Sequence, residues 1–402
     1  MKEKVLIITT ISGFLHQFEM NNVKLLQKAG YEVHYASNFQ VPVYTYDETE
    51  YESMGIVTHH VPIEKSPRSL KENKEAFRQL VHILEEEQIS LIHCHTPMGG
   101  VLGRLSGQRA AHNVKVIYTA HGFHFYKGAS WKNWLLYYQA ERWLARKTDM
   151  IITINQEDFN YASEFRLKTN GCVYKIPGVG LDLKRFFPIS EKRSVQREKL
   201  KIAENCFCII TAASLDVEKN HETVLRAISL IPDKRICYLI CGDGPQREYL
   251  EKLVRKLHLE TQVYFMGFQE HMEELLHASD CFVFPSLREG LGMAALEAMA
   301  CGLPVIAAGN RGTREYMKNG ENGFLCEGED AGQFARAIET LKADRMLCQR
   351  MGAVGRQTAE QFGTAKTEVI MSQVYQRIQG EMKGYEWNRN QYHHGSVQSK
   401  GI

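Results

Sequence analysis

Short runs of β-branched and aliphatic residues recur along this chain, spaced so that one helix fits between each pair. That alternation restricts the fold more than any other feature. The first series reads as strands at Val5–Thr9, Glu32–Ala36, Leu91–Cys94, Lys115–Thr119, Met150–Ile154 and Val173–Ile176. A second series follows the polar interval Glu191–Glu204, with Phe207–Ala212, Ile236–Cys241, Gln262–Met266, Cys281–Phe284 and Val305–Ala307. Helical patterns such as His221–Ser229 and Gln246–Leu257 lie between the strands. Strands separated by helices pair in parallel, and a parallel sheet needs helices on both faces. A chain of 402 residues also exceeds what a single core supports. We therefore expect an α/β protein of two doubly wound, Rossmann-like domains. Residues 1–190 would form the first and 191–365 the second. A helix over 366–379 can cross back to the first domain. The Gly/Asn/Ser/Gln-rich segment 380–402 reads as a mobile tail.

Composition removes several classes. A net charge of +2 is too balanced for a nucleic-acid partner. The N-terminal MKEKVLIITTISGF has an apolar run of strand length and no cleavage-site pattern, so it reads as a first strand. No uninterrupted stretch of about 18 apolar residues suggests a membrane span. The ten cysteines are scattered singly, several inside strand-like runs, which suits reduced core residues of a cytoplasmic protein.

The chemistry concentrates in Pro285–Pro304, PSLREGLGMAALEAMACGLP. Glu289 and Glu297 stand eight positions apart around Gly290 and Gly292, where a run of strong helix formers begins. Gly302 and Pro304 then end the helix. A helix start with bare glycine amides attracts anions, because its unpaired N–H groups and its dipole both favour negative charge. Amides for a phosphate beside carboxylates for hydroxyls describe a sugar-nucleotide site.

Other candidates follow strands, where open parallel sheets bind ligands. Gly13, after the first strand, lets backbone approach a ligand; a tight turn would use it equally well. Lys219 lies just past Phe207–Ala212 and can reach a pyrophosphate as a point charge, or it can be a solvated loop lysine. Cys241-Gly242-Asp243-Gly244 lacks the third glycine of a dinucleotide fingerprint. His121 stands in Tyr118–Tyr126, a loop whose rings and imidazoles suit a sugar; a structural hydrogen-bonding role is the alternative. His93 and His95 share one strand face and Cys94 the other, so the three do not converge on a metal. No Asp-x-Asp pair offers to hold a divalent cation. The segment Lys127–Lys147 is aromatic and basic. It reads as a helix packed on the first sheet with a basic solvent face, with a membrane-surface role as the rival.

These residues together resemble glycosyltransferase family 4, retaining enzymes of the GT-B architecture, and within it the capsule and exopolysaccharide transferases. The resemblance covers roughly residues 1–378. It rests on Glu289-Gly290-Leu291-Gly292 with Glu297-Ala298-Met299-Ala300, on Gly267-Phe268, Pro285-Ser286, Gly302–Ile306 and Asn322-Gly323-Phe324. His121–Tyr126 and Pro177–Asp182 look like the capsule-type subgroup. It implies two domains facing each other across a cleft, the first for the acceptor and the second for the donor. Glu297 would bind the nucleotide's ribose and Glu289 the transferred sugar. Amides of Gly290, Leu291, Gly292 and Met293 would hold the diphosphate or the sugar. Lys219 would neutralise the leaving phosphate, Gly13 would contact the diphosphate from the first domain, and His121 would sit by the anomeric centre. Many members carry an arginine ahead of this lysine, where Ser214 stands here; either one phosphate charge is missing or Arg288 or Arg314 supplies it. The implied donor is a nucleotide-diphosphate sugar, UDP-linked. The implied acceptor is a glycan or polyprenyl-diphosphate-linked saccharide, reached by peripheral membrane contact, and no cofactor or metal is needed.

Three other functions remain open on the residues alone. A glycoside hydrolase also uses two carboxylates, but has no need of a phosphate-type helix start or Lys219. A sugar-nucleotide epimerase would convert the donor without an acceptor. A catalytically inactive sugar-nucleotide-binding protein would bind and not turn over.

Overall fold

Both series of apolar runs become parallel strands in the computed structural model, which describes residues 2–40 and 48–384. The first sheet holds β1 (Lys4–Ile8), β2 (Glu32–Ser37), β3 (Val57–His60), β4 (Leu91–Cys94), β5 (Lys115–Ala120), β6 (Met150–Thr153) and β7 (Cys172–Lys175). The second holds β8 (Phe207–Ala212), β9 (Ile236–Cys241), β10 (Val263–Gly267), β11 (Cys281–Phe284), β12 (Val305–Ala308) and β13 (Gly323–Cys326). Their orders are β3-β2-β1-β4-β5-β6-β7 and β10-β9-β8-β11-β12-β13. In each sheet the chain reverses direction once, between β1 and β4 and between β8 and β11. Such switch points leave a crevice at the strands' carboxyl ends, the usual ligand position in open α/β sheets.

Leu6, Ile8, Ile92, Val116 and Ile151 anchor one core, and Ile209, Tyr238, Ile240, Val283 and Ile306 the other. Burial on both faces explains why these strands are nearly continuous apolar runs. β3 and β13, which close an edge of each sheet, are the two strands the pattern did not announce. β3 is the polar sequence VTHH and largely exposed, and β13 is short and opens on glycine. Both suit edges, which proteins keep short and polar.

The chain divides into two compact units, one holding it up to Gly180 and again from Ala365, the other Leu181–Thr364. The second unit therefore starts ten residues before the expected 191, because Leu181–Ser190 is fastened to it. Leu181 N–H donates to Phe362 O at 2.8 Å, Arg185 to Glu273 at 2.9 Å, and Arg356 to Phe186 O at 2.8 Å.

The last helix spans Thr364–Met382, longer at both ends than 366–379. It belongs to the first unit: the Tyr375 hydroxyl meets His93 Nδ1 at 2.9 Å and Glu381 pairs with Lys115 at 3.1 Å. Residues 380–382, expected in the tail, are helical; the tail from 385 lies outside the described residues. All ten cysteines are free. Among the described residues, no helix is long and apolar enough to cross a membrane.

Candidate functional site

In the second unit the site grows from the loops after β8 and β11. Past β8 a single 3-10 turn, Val217–Lys219, ends at Asn220 in the left-handed region, φ 55°. Asn220 Nδ2 donates to Gly328 O at 2.7 Å and to Pro285 O at 3.3 Å, and Leu287 N–H donates to Glu218 O at 2.9 Å. The bonds to Pro285 and from Leu287 join the two loops, that to Gly328 ties them to the segment after β13, and Lys219 Nζ stands 2.6 Å from Glu289 Oε1. The lysine side chain keeps 26% of its surface exposed and the glutamate 12%, so the pair is partly open to solvent.

Gly290 and the buried Leu291 lead to Gly292, which starts the helix Met293–Ala300 at φ 90°. A Cβ there would lie 2.6 Å from the Phe284 ring, so both the conformation and the space require glycine. No side chain caps this helix start. Glu297 follows Met293 by one turn. Among the described residues its carboxylate has no hydrogen-bond or ion-pair partner. It keeps some surface open, yet the packed atoms around it push its carboxyl up to about 7; Arg185 pulls the other way.

The phosphate-clamp candidates separate. Arg288 lies 3.6 Å from Glu218 Oε1. Arg314 is exposed, donates to Gly309 O at 3.3 Å, and makes no ion pair among the described residues. Ser214 Oγ is engaged by Asp216 Oδ2 at 2.6 Å. Arg311, which the sequence did not single out, donates from Nε to Glu289 O at 3.3 Å. Gly242 is needed for close backbone packing, since a Cβ there would meet Ala213 O at 2.0 Å.

In the first unit Gly13 is buried at the start of the helix that follows β1. Tyr35 hydroxyl donates to Ser12 O at 2.7 Å, and Thr9 Oγ1 donates to Ile11 O at 2.9 Å. The chain then makes one π-helical turn, Leu15–Glu19, that buries Glu19. His95 follows β4 and His121 follows β5. His95 Nδ1 lies 3.3 Å from Glu19 Oε1 and 3.2 Å from His121 Nε2, and His121 Nε2 lies 3.6 Å from the same carboxylate oxygen. Asn22 Nδ2 donates to the other Glu19 oxygen at 2.6 Å. Burial pushes the Glu19 carboxyl up to about 8 and His121 down to about 4, with His95 well below the usual histidine range. The sequence reading missed Glu19, a lone acid in LHQFEM that only the π-turn brings to the histidines. His93 is occupied elsewhere, by Thr119 Oγ1 at 2.8 Å and by Tyr375.

Two expectations for this unit are corrected. Phe123 and Phe125 do not offer faces to a sugar, because both are buried with rings stacked 4.8 Å apart in the core. Nor is the outer face of Lys127–Lys147 purely basic, although a helix forms as expected, unbroken over Trp131–Ala145 with a π-turn at Trp134–Tyr138. Trp131, Leu135, Leu136 and Trp143 are exposed at 70%, 63%, 60% and 51%, among Lys132, Arg142 and Arg146.

Residues 192–358 match the family model of the glycosyl transferases group 1, and residues 20–170 that of glycosyltransferase family 4. EpsD of Bacillus subtilis (strain 168), named as a glycosyltransferase, is 38% identical over 379 residues, covering 93% of this chain and 97% of EpsD. The UDP-Gal:alpha-D-GlcNAc-diphosphoundecaprenol alpha-1,3-galactosyltransferase of Escherichia coli is 29% identical over 74% of this chain and 78% of its own. Among solved structures, Anabaena HepE in complex with UDP-glucose shares the fold at a TM-score of 0.76, with 20% identity over 93% of this chain and 99% of HepE. Sucrose-phosphate synthase from Thermosynechococcus elongatus does so at 0.79, with 22% identity over 94% of this chain and 100% of the synthase.

Proposed function

Because the chain belongs to the group 1 and family 4 glycosyltransferases, we propose that it moves a hexose or N-acetylhexosamine from a UDP-sugar with retained anomeric configuration. The acceptor is a glycan or polyprenyl-diphosphate-linked saccharide used to build a surface polysaccharide. The observation that carries the donor assignment is Glu297, a carboxylate without a partner among the described residues, on the helix that Gly292 begins uncapped. An unpaired, largely buried carboxylate is unfavourable unless a ligand completes it, and the ribose hydroxyls of a nucleotide would do so. The E. coli relative, whose name gives a UDP-sugar and a diphosphoundecaprenol acceptor, supports the same donor and acceptor classes.

The remaining roles follow from position. Glu289, held by Lys219, binds hydroxyls of the transferred sugar. Amides from Gly290 to Met293 face its diphosphate, and Lys219 stabilises the charge that grows on the leaving phosphate, with Arg288 and Arg314 as further phosphate contacts. Gly13 and His121 belong to the unit assigned to the acceptor. In this front-face reaction the leaving diphosphate helps take the acceptor's proton. The protein's work is then positioning and charge stabilisation. Peripheral membrane contact is supported by the exposed Trp131, Leu135, Leu136 and Trp143 among basic residues, a composition suited to a headgroup boundary. A groove of about 730 Å³ in the same unit, lined by Leu70, Phe77, Met98 and Leu105 with Lys74 and Arg109, has the same apolar and basic character.

Thermal-shift screening against UDP-, GDP- and ADP-sugars tests the reading, since a ligand that binds only the folded chain raises its melting temperature. A UDP-sugar should stabilise most, and the product of transfer should keep the donor's anomeric configuration. Stabilisation by none of the three would overturn the proposal.

A further inference from the structure

One buried acid, Glu19, takes no part in the reaction proposed for this chain. It is 1% exposed, and no lysine or arginine pairs with it among the described residues. Asn22 Nδ2 holds one carboxyl oxygen, and the other faces His95 and His121. The remaining titratable groups nearby are His93, whose ring centroid lies 4.2 Å from that of His95, and Tyr375 of the last helix, whose hydroxyl meets His93. Burial holds the three imidazoles below the usual histidine range and the Tyr375 phenol well above its own, so all four are neutral at pH 7. A carboxylate with no positive partner in such a setting is costly, which favours the acid form of Glu19.

Burial also assigns the tautomers. His95 Nε2 is buried without a partner among the described residues. Buried N–H groups are rarely left orphaned, so the single proton of His95 belongs on Nδ1. That N–H lies 3.2 Å from His121 Nε2 and 3.3 Å from Glu19 Oε1. With His121 Nε2 bare and Glu19 Oε1 protonated, each of the three atom pairs sets a donor against an acceptor. The Glu19–His121 pair, at 3.6 Å, is too long for a hydrogen bond but has the right polarity. His121 then carries its proton on Nδ1, the nitrogen without a partner among the described residues, on a ring that keeps 22% of its surface open. The Phe14 ring packs edge-on against that imidazole, centroids 5.1 Å apart, and limits its rotation. An ionised Glu19 reverses the pattern: both imidazoles turn an N–H toward the charge, and His121 Nδ1 becomes a bare acceptor. The π-turn Leu15–Glu19, a rare geometry concentrated at functional sites, brings the acid to the histidines. We propose that Glu19 is a positioning residue: by keeping its proton it holds His121 in the Nδ1–H tautomer, which donates a hydrogen bond to an oxygen of the bound substrate. The proposal rests on the reading of His121 as a substrate contact, whereas the tautomer itself needs no ligand.

The test uses the full chain with nitrogen-15-labelled histidine, the His121 signals being identified by their loss in His121→Asn. Ring nitrogen shifts separate a protonated nitrogen from a bare one. At pH 6.5 the wild type should show His121 protonated on Nδ1 and bare on Nε2. Burial places the Glu19 carboxyl at about 8, so by pH 9 the proton should stand on Nε2. Glu19→Gln, whose amide keeps an N–H donor and cannot ionise, should hold Nδ1–H at both pH values. The reaction is read as UDP release from saturating UDP-glucose or UDP-N-acetylglucosamine. Wild-type kcat should fall about tenfold between pH 7 and pH 9, a fall absent from Glu19→Gln; titrations common to both chains cancel in the comparison. Nε2–H at pH 6.5 in the wild type would overturn the proposal. So would one wild-type tautomer at both pH values, or a Glu19→Gln chain whose rate falls as the wild type's does. If that variant melts without cooperativity, the wild-type spectra decide. Absence of UDP release from both chains would count against the donor reading alone, and the spectra would still decide the role of Glu19.

Discussion

Glu297 is the residue at which stability and binding oppose each other. Its carboxyl, raised from 4.5 to about 7 by burial, holds its proton more tightly in the folded chain than in the unfolded one. The stability this group contributes is complete below about pH 4.5 and is lost as pH rises through about 7. The loss at pH 8 is at most about 3 kcal/mol. Glu297→Gln should therefore resist urea better than the wild type at pH 8 and no better at pH 5. UDP affinity of the wild type should rise between pH 6 and pH 8, as the acceptor carboxylate forms, while that of the variant stays flat. Equal urea midpoints at both pH values would refute the assignment of a buried, unpaired carboxylate. Lys219 makes a partly exposed pair with Glu289, so Lys219→Ala should reduce stability by only about 1 kcal/mol. Turnover should fall by about 100-fold or more, because charge on the leaving phosphate loses its partner; steady-state rates near the wild type would remove Lys219 from the mechanism. These residues were legible in the sequence because Glu289, the glycines and Glu297 lie in one stretch whose chemistry is local. Glu19 and Arg311 were not. Each reaches its neighbours through backbone geometry, a π-turn in one case and the loop after β12 in the other, that no short pattern encodes.

Among elements, the central strands were readable because burial on both faces makes them apolar throughout. β3 and β13 escaped because an edge strand needs neither a long nor an apolar sequence. The segment after His121 shows a different limit. Its composition was plain, but which aromatics turn inward depends on a π-turn at Trp134–Tyr138. Trp134 and Tyr138 join the Phe125 cluster, with centroids 5.5 and 5.2 Å from that ring, and this leaves Trp131 and Trp143 outside. The double variant Trp131→Ala/Trp143→Ala should bind vesicles containing anionic lipid at least about tenfold more weakly, equivalent to about 1.4 kcal/mol. Its melting temperature should stay close to the wild type's, since neither ring is buried. Unchanged vesicle sedimentation would argue against membrane contact through this face.

At the scale of the whole molecule, two doubly wound units follow from the alternation of strands and helices, whereas the exact seam does not. Leu181–Ser190 carries no strand or helix signal of its own, and side-chain bonds such as Arg185–Glu273 decide where it belongs. The last helix serves the first unit through Tyr375, whose hydroxyl is the partner of His93 Nδ1 in a fully buried setting. Tyr375→Phe should lower the urea stability of that unit by about 1–3 kcal/mol by leaving the imidazole nitrogen unsatisfied; no loss would mean the bond contributes nothing. Function at this scale depends on whether the second unit holds a nucleotide through the glutamate at its helix start. The most direct measurement is a calorimetric titration of UDP into the wild type and into Glu297→Ala at pH 8. The donor assignment predicts saturable binding to the wild type, and binding at least about tenfold weaker to a variant that still melts cooperatively, the worth of about 1.4 kcal/mol of lost ribose contact. Equal affinity for the two chains, or no binding of UDP to the wild type, would contradict it.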